Sequence, residues 1–331
     1  MKIIQKRGRP SAKTFLGEGK AEELSHLVQN YGADMVIIND FLKPNQSNNL
    51  VNIIPCEVLD RFELILLIFE KHATSPEAKL QIELMRLKYE FPKLFGMGAH
   101  MAQQRGGTRS VGGSGEKLLE NKRRHLKSRI KALEEKVEQF RGVRQNQRAR
   151  RRRENLFTVS LVGYTNSGKS TLLRALTKKE NILVENKLFS TLDTRLALMA
   201  QDSSYREELH NKILISDTIG FIRNLPPILF ETFMATLEEV KEADLLIHVI
   251  DVSDSMIEEK IRTVEEILTQ MQCHEKPRIL VFNKADLVPH AQKLADVVVR
   301  YGGDRPFIIS ALAKDTLHAV KEEVYSRLHL V

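Results

Sequence analysis

Apolar and polar positions change texture three times along the chain. Up to about Ser75, short apolar runs alternate with helix-like stretches. The spacing predicts a helix over residues 20–30 and strands over 35–38 and 51–54. CEVLDR then leads to a helix over 62–71. Strands interleaved with helices point to a small α/β domain with parallel pairing, residues 1–75.

Residues 76–154 read as helical. Ser75 suits an N-cap and Pro76 a first helical position. Leu80, Leu84 and Leu87 share one face. Farther on, Leu119, Leu126, Ile130, Leu133, Val137 and Phe140 recur at heptad spacing. Each stripe is narrow and needs a partner, so the two segments are expected to pack as a long antiparallel hairpin. Between them, residues 103–116 hold five of the chain's 17 glycines. Composition alone makes this a connector. Arg105 and Arg109 inside it point instead to a loop ordered by phosphates, since a guanidinium is a planar fork of donors.

From Asn155 to Val331 the pattern alternates strand and helix about six times, the signature of a doubly wound, mostly parallel α/β domain. The fold class is therefore α/β: a small α/β domain, a helical hairpin, and a doubly wound, mostly parallel domain over 155–331.

Charge alters this picture at one place. The net charge is +8, and residues 116–154 carry 15 Lys and Arg against 6 Glu. That segment holds the whole excess, so it is a local patch suited to a polyanion. The longest apolar run, LILLIF, is too short to span a bilayer, which takes about 20 residues. The start, MKIIQKRGRP, has no signal-peptide core, and a solvated N-terminus is expected there. Cys56 and Cys273 lie far apart and read as buried thiols in a reducing compartment. GEG at residues 17–19 reads as a turn before a helix, not as a phosphate site.

Candidate chemistry begins at Gly163, Tyr164, Thr165, Asn166, Ser167, Gly168, Lys169 and Ser170, followed by Thr171. This is a P-loop after an apolar strand and before a helix. Its backbone N–H groups are placed to cradle phosphates. Lys169 would reach the β- and γ-phosphates, and Ser170 would ligate magnesium. A second strand ends at Asp217, which can hold magnesium, and the Gly220 N–H can meet a γ-phosphate. A third strand ends in Asn283-Lys284-Ala285-Asp286. The Asp286 carboxylate can accept both donors of a guanine edge, which adenine lacks. Ser310, Ala311 and Leu312 follow a fourth strand and offer N–H groups to the base carbonyl. In the intervening NKLFSTLDTR, Thr191 and Thr194 both qualify as the switch threonine that binds magnesium, and Thr191 is favoured. Phe221 stands where many signalling GTPases carry a water-orienting Gln, so unaided hydrolysis is expected to be slow.

GYTNSGKSTL, LFSTLD, DTIGFIRNLP, ATLEEV, LLIHVIDVSD and NKADL together resemble the HflX family of ribosome-associated GTPases. Upstream, FLGEGKAEEL, EVLDRFELILLIFEKHA, AKLQIELMRLKY and GSGEKLLENKRR extend the resemblance over nearly the whole chain. It implies a cytoplasmic, monomeric GTPase that binds the large ribosomal subunit and its RNA and dissociates stalled or idle ribosomes. Peripheral membrane association is compatible with it, as are ATP use and RNA remodelling. Arg148, Arg150, Arg151, Arg152 and Arg153 are then natural phosphate contacts, beside Arg105 and Arg109. In related GTPases an Asn at the position of Asn166 helps hold a potassium ion, which implies the same here alongside catalytic roles for Lys169, Thr191 and Gly220. Two alternatives stay open: a large-subunit assembly factor, and an RNA-binding protein gated by nucleotide with little turnover. Against the family pattern, the glycine loop is longer, and the N-terminal domain is expected to lack its first strand and helix.

Overall fold

The structure is a computed structural model that describes residues 1–6, 8–103, 113–177, 195–200, 213–223, 226–288, 296, 299–301 and 306–328. The chain divides into two compact units, residues 1–71 with 79–139, and residues 72–78 with 140–331.

The first unit opens with α1 (Glu18–Tyr31), β1 (Met35–Ile38), α2 (Pro44–Ile53), β2 (Glu57–Asp60) and α3 (Arg61–His72). Strands β1 and β2 pair in parallel, from Met35 opposite Glu57 to Ile38 opposite Asp60. The strand expected over 51–54 is instead the end of α2. Pro44 starts that helix at a position where no N–H is needed. Gln46, Ser47, Leu50 and Ile54 then fall on one buried face at helical spacing, so the periodicity of the longer segment overrides its short apolar end. The true strand is EVLD.

Asp60 joins this unit together. Its Oδ1 accepts the Glu63 N–H at 2.9 Å, and Glu63 Oε2 accepts the Asp60 N–H at 3.0 Å, a reciprocal cap that starts α3. Its Oδ2 accepts the Leu42 N–H at 3.2 Å and the Tyr89 hydroxyl. Tyr89 lies on α4 (Pro76–Gln103) and stacks on Phe62 with centroids 4.1 Å apart. Burial pushes the Tyr89 phenol far up, and the Asp60 carboxylate adds to this.

Helix α5 (Gly113–Arg153) runs antiparallel to α4. Arg123 donates to the Leu94 carbonyl, Arg129 pairs with Glu83 at 2.8 Å, and Arg144 meets Glu77 toward the opposite end. The expected seam faces inward. Leu133 is fully buried, and Leu119, Leu126, Ile130, Val137 and Phe140 are half-buried between exposed neighbours. Most of the glycine-rich loop, including Arg105 and Arg109, lies outside the described residues.

The second unit holds β3 (Phe157–Val162), α6 (Lys169–Leu176), β4 (Arg195–Leu198), β5 (Ile213–Asp217), α7 (Pro227–Glu242), β6 (Leu245–Asp251), α8 (Ile257–Gln270), β7 (Arg278–Asn283), β8 (Phe307–Ile308) and a closing helix, His318–Arg327. Its six-stranded sheet has the order β4-β5-β3-β6-β7-β8. Among the described strands, only β4 is antiparallel; the remaining pairs are parallel, as the alternating pattern predicts. Central β3 and β6 are buried along nearly their whole length, so their polar residues Thr158, Ser160 and His248 are enclosed along with the apolar ones. No helix among the described residues is long and apolar enough to cross a membrane.

Candidate functional site

The carboxyl ends of β3, β5, β6 and β7 converge on one edge, where an open parallel sheet presents its crevice. Leu161 of β3 is level with Asp217 of β5, and Asp251 of β6 is level with Asn283 of β7. The loop 163–168 runs from β3 to α6 through this edge.

Two of its glycines are required sterically. Gly163 has φ +153°, and a Cβ there would strike the Val249 carbonyl; Gly168 has φ +95°, and its Cβ would strike the Asn283 amide. Asn166 also takes a left-handed conformation, φ 63°, which Asn tolerates better than most side chains. Its side chain is exposed, as is consistent with a ligand-facing loop tip.

Lys169 is buried, and its Nζ donates to the carbonyls of Gly163 at 3.2 Å and Tyr164 at 2.8 Å. Burial pushes its pKa down to about 8, opposed by the Asp217 charge and assisted by the Lys284 charge. Next to it, the Ser170 hydroxyl donates to Asp217 Oδ2 at 2.5 Å. A hydroxyl and a carboxylate are hard oxygen donors, the set a phosphate-bound magnesium takes from a protein. Among the described residues no group of three or more His, Cys, Asp and Glu could form a metal site by itself.

The segment after Asp217 is zippered onto the P-loop. Thr218 donates its hydroxyl to the Leu161 carbonyl at 2.7 Å. The Phe221 N–H meets the Gly163 carbonyl at 3.0 Å, and the Thr165 N–H meets the Phe221 carbonyl at 2.9 Å. Gly220 lies so close that a Cβ would sit 2.7 Å from Thr165 Cα and 2.9 Å from Lys169 Nζ. Phe221 itself is buried, so its side chain is packed within the domain. The Tyr164 hydroxyl accepts the Arg223 N–H at 3.1 Å, and Lys260 Nζ sits 4.8 Å from the Tyr164 ring centroid.

At the other end of the edge, Asn283 is a clasp. Its amide donates to the Ser167 carbonyl at 2.9 Å, and its Oδ1 accepts the Ala311 N–H at 2.9 Å. The Ala311 N–H, expected to face a base carbonyl, is thus engaged by Asn283. Leu312 is exposed, and its N–H lies 3.4 Å from the Ser310 hydroxyl. Asp286 projects from the turn Ala285–Leu287 with its carboxylate exposed. Thr191 and Thr194 lie outside the described residues; Thr171, on the first turn of α6, is half-buried.

The arginine run divides in two. Arg151 forks onto Glu239 at 2.9 and 3.1 Å, and Arg148 reaches Glu238 at 2.7 Å; both guanidinium side chains are close to nine-tenths buried. These two do not present themselves to a phosphate, because Glu238 and Glu239 of α7 meet them on the inner face of α5. Arg152 pairs with Glu242 at the surface, Arg150 with Glu154 at 2.7 Å, and Arg153 is exposed. Sequence reading missed this acidic face of α7, and it gave no role to Asp251, which accepts a 2.7 Å bond from Lys284 Nζ. The adjacency of Asp251 to Asn283 is a register effect that no local pattern contains.

Comparison with known proteins agrees along the whole chain. Family models described as GTP-binding GTPase N-terminal, GTP-binding GTPase Middle Region and 50S ribosome-binding GTPase match residues 1–70, 72–151 and 158–284. The GTPase HflX of Caldanaerobacter subterraneus is 42% identical over 333 residues, covering 99% of this chain and 74% of the relative. The GTPase HflX of Methanocaldococcus jannaschii is 35% identical, covering 99% of this chain and 79% of the relative. Among solved structures, the SsGBP–GDP complex is 28% identical with a TM-score of 0.53, covering 97% of this chain and 88% of that one. A GTP-binding protein from Sulfolobus solfataricus in complex with GDP is 27% identical with a TM-score of 0.50, covering 97% and 88%. With such identity over nearly its whole length, the chain belongs to the HflX family of GTPases.

Proposed function

We propose that this GTPase acts on the large ribosomal subunit, dissociating stalled or idle ribosomes in a nucleotide-dependent cycle. The observation that carries the nucleotide chemistry is the convergence of Lys169, the Ser170–Asp217 pair, Gly220 and the Asn283 clasp on one sheet edge. In this reading the loop 163–168, with Thr171 behind it, wraps the phosphates and Lys169 neutralises the β- and γ-oxygens. Ser170, Asp217 and Thr191 hold magnesium, which supplies charge neutralisation at the γ-phosphate when bound. Asp286 reads the guanine edge, with Asn283, Lys284, Ser310, Ala311 and Leu312 around the base. Asn166 helps bind a potassium ion, and Gly220 senses the γ-phosphate. Residues 1–75, 76–154 and 155–331 act as the three functional parts. Arg105, Arg109, Arg150, Arg152 and Arg153 are the RNA-facing arginines, while Arg148 and Arg151 serve α7 instead.

The ribosomal assignment is supported by the 50S ribosome-binding description of the model matching residues 158–284 and by the basic hairpin. Its test is sedimentation of intact ribosomes with the full chain and GTP or a non-hydrolysable analogue. Dissociation with both is expected; undisturbed ribosomes with either overturn the reading. A second reading, nucleotide-gated RNA binding with little turnover, is favoured by one observation, the packed Phe221. Multiple-turnover hydrolysis stimulated by large subunits separates the two, and equal rates in potassium and sodium remove the role given to Asn166.

A further inference from the structure

Asp251 is the last residue of β6 and lies level with Asn283, beside the base-reading turn. Its side chain is mostly buried, 11% exposed, and both oxygens are engaged. Oδ1 accepts the Ser253 N–H at 3.0 Å and the Ser253 hydroxyl at 2.6 Å. Oδ2 accepts Lys284 Nζ at 2.7 Å. Two bonds from Ser253 prevent the carboxylate from swinging, so it is a fixed anchor and not a solvated surface charge.

The group it anchors is in an unusual state. Lys284 has φ +64° and ψ 34°, a left-handed conformation that a long side chain adopts only when its surroundings impose it. On the main chain, Ala285 N–H is held by the Ile309 carbonyl at 3.1 Å, and Val252 N–H by the Asn283 carbonyl at 3.1 Å. On the side chain, Asp251 supplies the restraint. The neighbour of Lys284, Asn283, is bonded to the phosphate loop through the Ser167 carbonyl at 2.9 Å. A lysine released from Asp251 would bring an uncompensated positive charge and a mobile side chain to the border of the phosphate loop.

We propose that Asp251 is a positioning residue for guanine-nucleotide retention: it fixes Lys284, which joins Asn283, bonded to the phosphate loop, to the turn that carries Asp286. This rests on residues 283–286 being the base-recognition segment. Asp251 does not touch the nucleotide; it acts through Lys284, and the coupling between the two residues is what distinguishes this role from general stabilisation.

The test uses the full chain and stopped-flow release of a fluorescent GDP in magnesium buffer. Asp251→Asn is expected to release GDP roughly tenfold faster, the scale of losing one charged hydrogen-bond partner. KM for GTP rises by a larger factor than kcat falls. Lys284→Met releases GDP at a similarly raised rate, and Asp251→Asn with Lys284→Met is no faster than Lys284→Met alone. Ser253→Ala loosens the anchor from behind and gives a roughly twofold acceleration, which decides the matter if Asp251→Asn fails to fold. Wild-type release from Asp251→Asn, or from Ser253→Ala in that event, overturns the proposal. So do effects of Asp251→Asn and Lys284→Met that multiply. A wild-type chain that retains no guanine nucleotide would instead remove the site assignment beneath it.

Discussion

Replacing Arg151 by Ala tests a buried ion pair of the second unit. Arg151 donates two bonds to Glu239, whose side chain is only 4% exposed. Removing the cation leaves a carboxylate buried without its fork, and breaking a buried pair from one side costs about 3–5 kcal/mol. Arg148 Nη1 lies 3.9 Å from Glu239 Oε1 and offers partial compensation, which places the expectation near the lower end, about 3 kcal/mol. In a cooperative unit of this size, each 1 kcal/mol moves Tm by about 2–4 °C, so the full chain should lose roughly 6–12 °C. Arg150→Ala is the matched control. It removes an equally well-formed i,i+4 pair with Glu154, but Arg150 is 79% exposed and water screens the pair, so its Tm should stay close to wild type. The assay is thermal unfolding of both variants by circular dichroism at one ionic strength. The double substitution Arg151→Ala, Glu239→Ala should recover part of the loss, since it removes the stranded charge. If Arg151→Ala melts with Arg150→Ala, the pair is not a structural clamp and the arginine returns to the candidates for RNA contact.

Three further expectations follow from the site and the N-terminal unit. The Lys169 pKa of about 8 means that the ammonium that meets phosphate is present below that pH and lost as pH rises through it. GDP affinity of the free chain should be level from pH 6.5 to about 8 and then weaken by up to about tenfold per unit; a level profile to pH 9.5 contradicts the assignment. Asp286→Asn should weaken GTP binding by about 3–4 kcal/mol, on the order of 10²–10³-fold, as the carboxylate that accepts both neutral guanine donors is lost; titration with GTP and ATP checks it, and unchanged GTP affinity rules out its role. Tyr89→Phe leaves the buried Asp60 Oδ2 with the Leu42 N–H but without its hydroxyl donor and should cost about 1–2 kcal/mol in urea unfolding; an unchanged midpoint means the Leu42 N–H suffices for that oxygen.

The sequence made the nucleotide site legible because its demands are local. Gly163 and Gly168 have backbone conformations or clearances that other residues cannot meet, and Lys169 and Ser170 follow at fixed offsets on the first turn of α6. The heptad seam was legible for a similar reason: each of its residues is judged by neighbours three and four places away. Residues 51–54 misled because four apolar residues cannot distinguish a strand from a helix end; only Pro44, seven residues upstream, sets the period. Asp251 and the Tyr164–Arg223 contact escaped because their meaning lies in which strands are neighbours. Phe221 was legible as a missing Gln but not as a packed residue bridging to Gly163.

The basic segment is where local arithmetic most misstates the physics. Its excess of nine positive charges is counted along the chain, yet ion pairs are made across it. Five carboxylates from outside the segment meet its arginines: Glu77, Glu83, Glu238, Glu239 and Glu242. Against them, Lys88 from outside the segment pairs with Glu134, so part of the excess is offset within the fold and the field offered to a polyanion is weaker. The salt dependence of RNA binding reads the difference directly. Each phosphate neutralised contributes a slope of about 0.7–0.9 in log affinity against log salt. Arg150→Ala or Arg153→Ala should lower that slope by about one contact each. Arg148→Ala and Arg151→Ala should leave the slope unchanged while lowering Tm, because their guanidinium groups already have buried partners. A loss of slope at Arg148 or Arg151 with an unchanged melting point would mean that the α7 glutamates release these arginines to RNA.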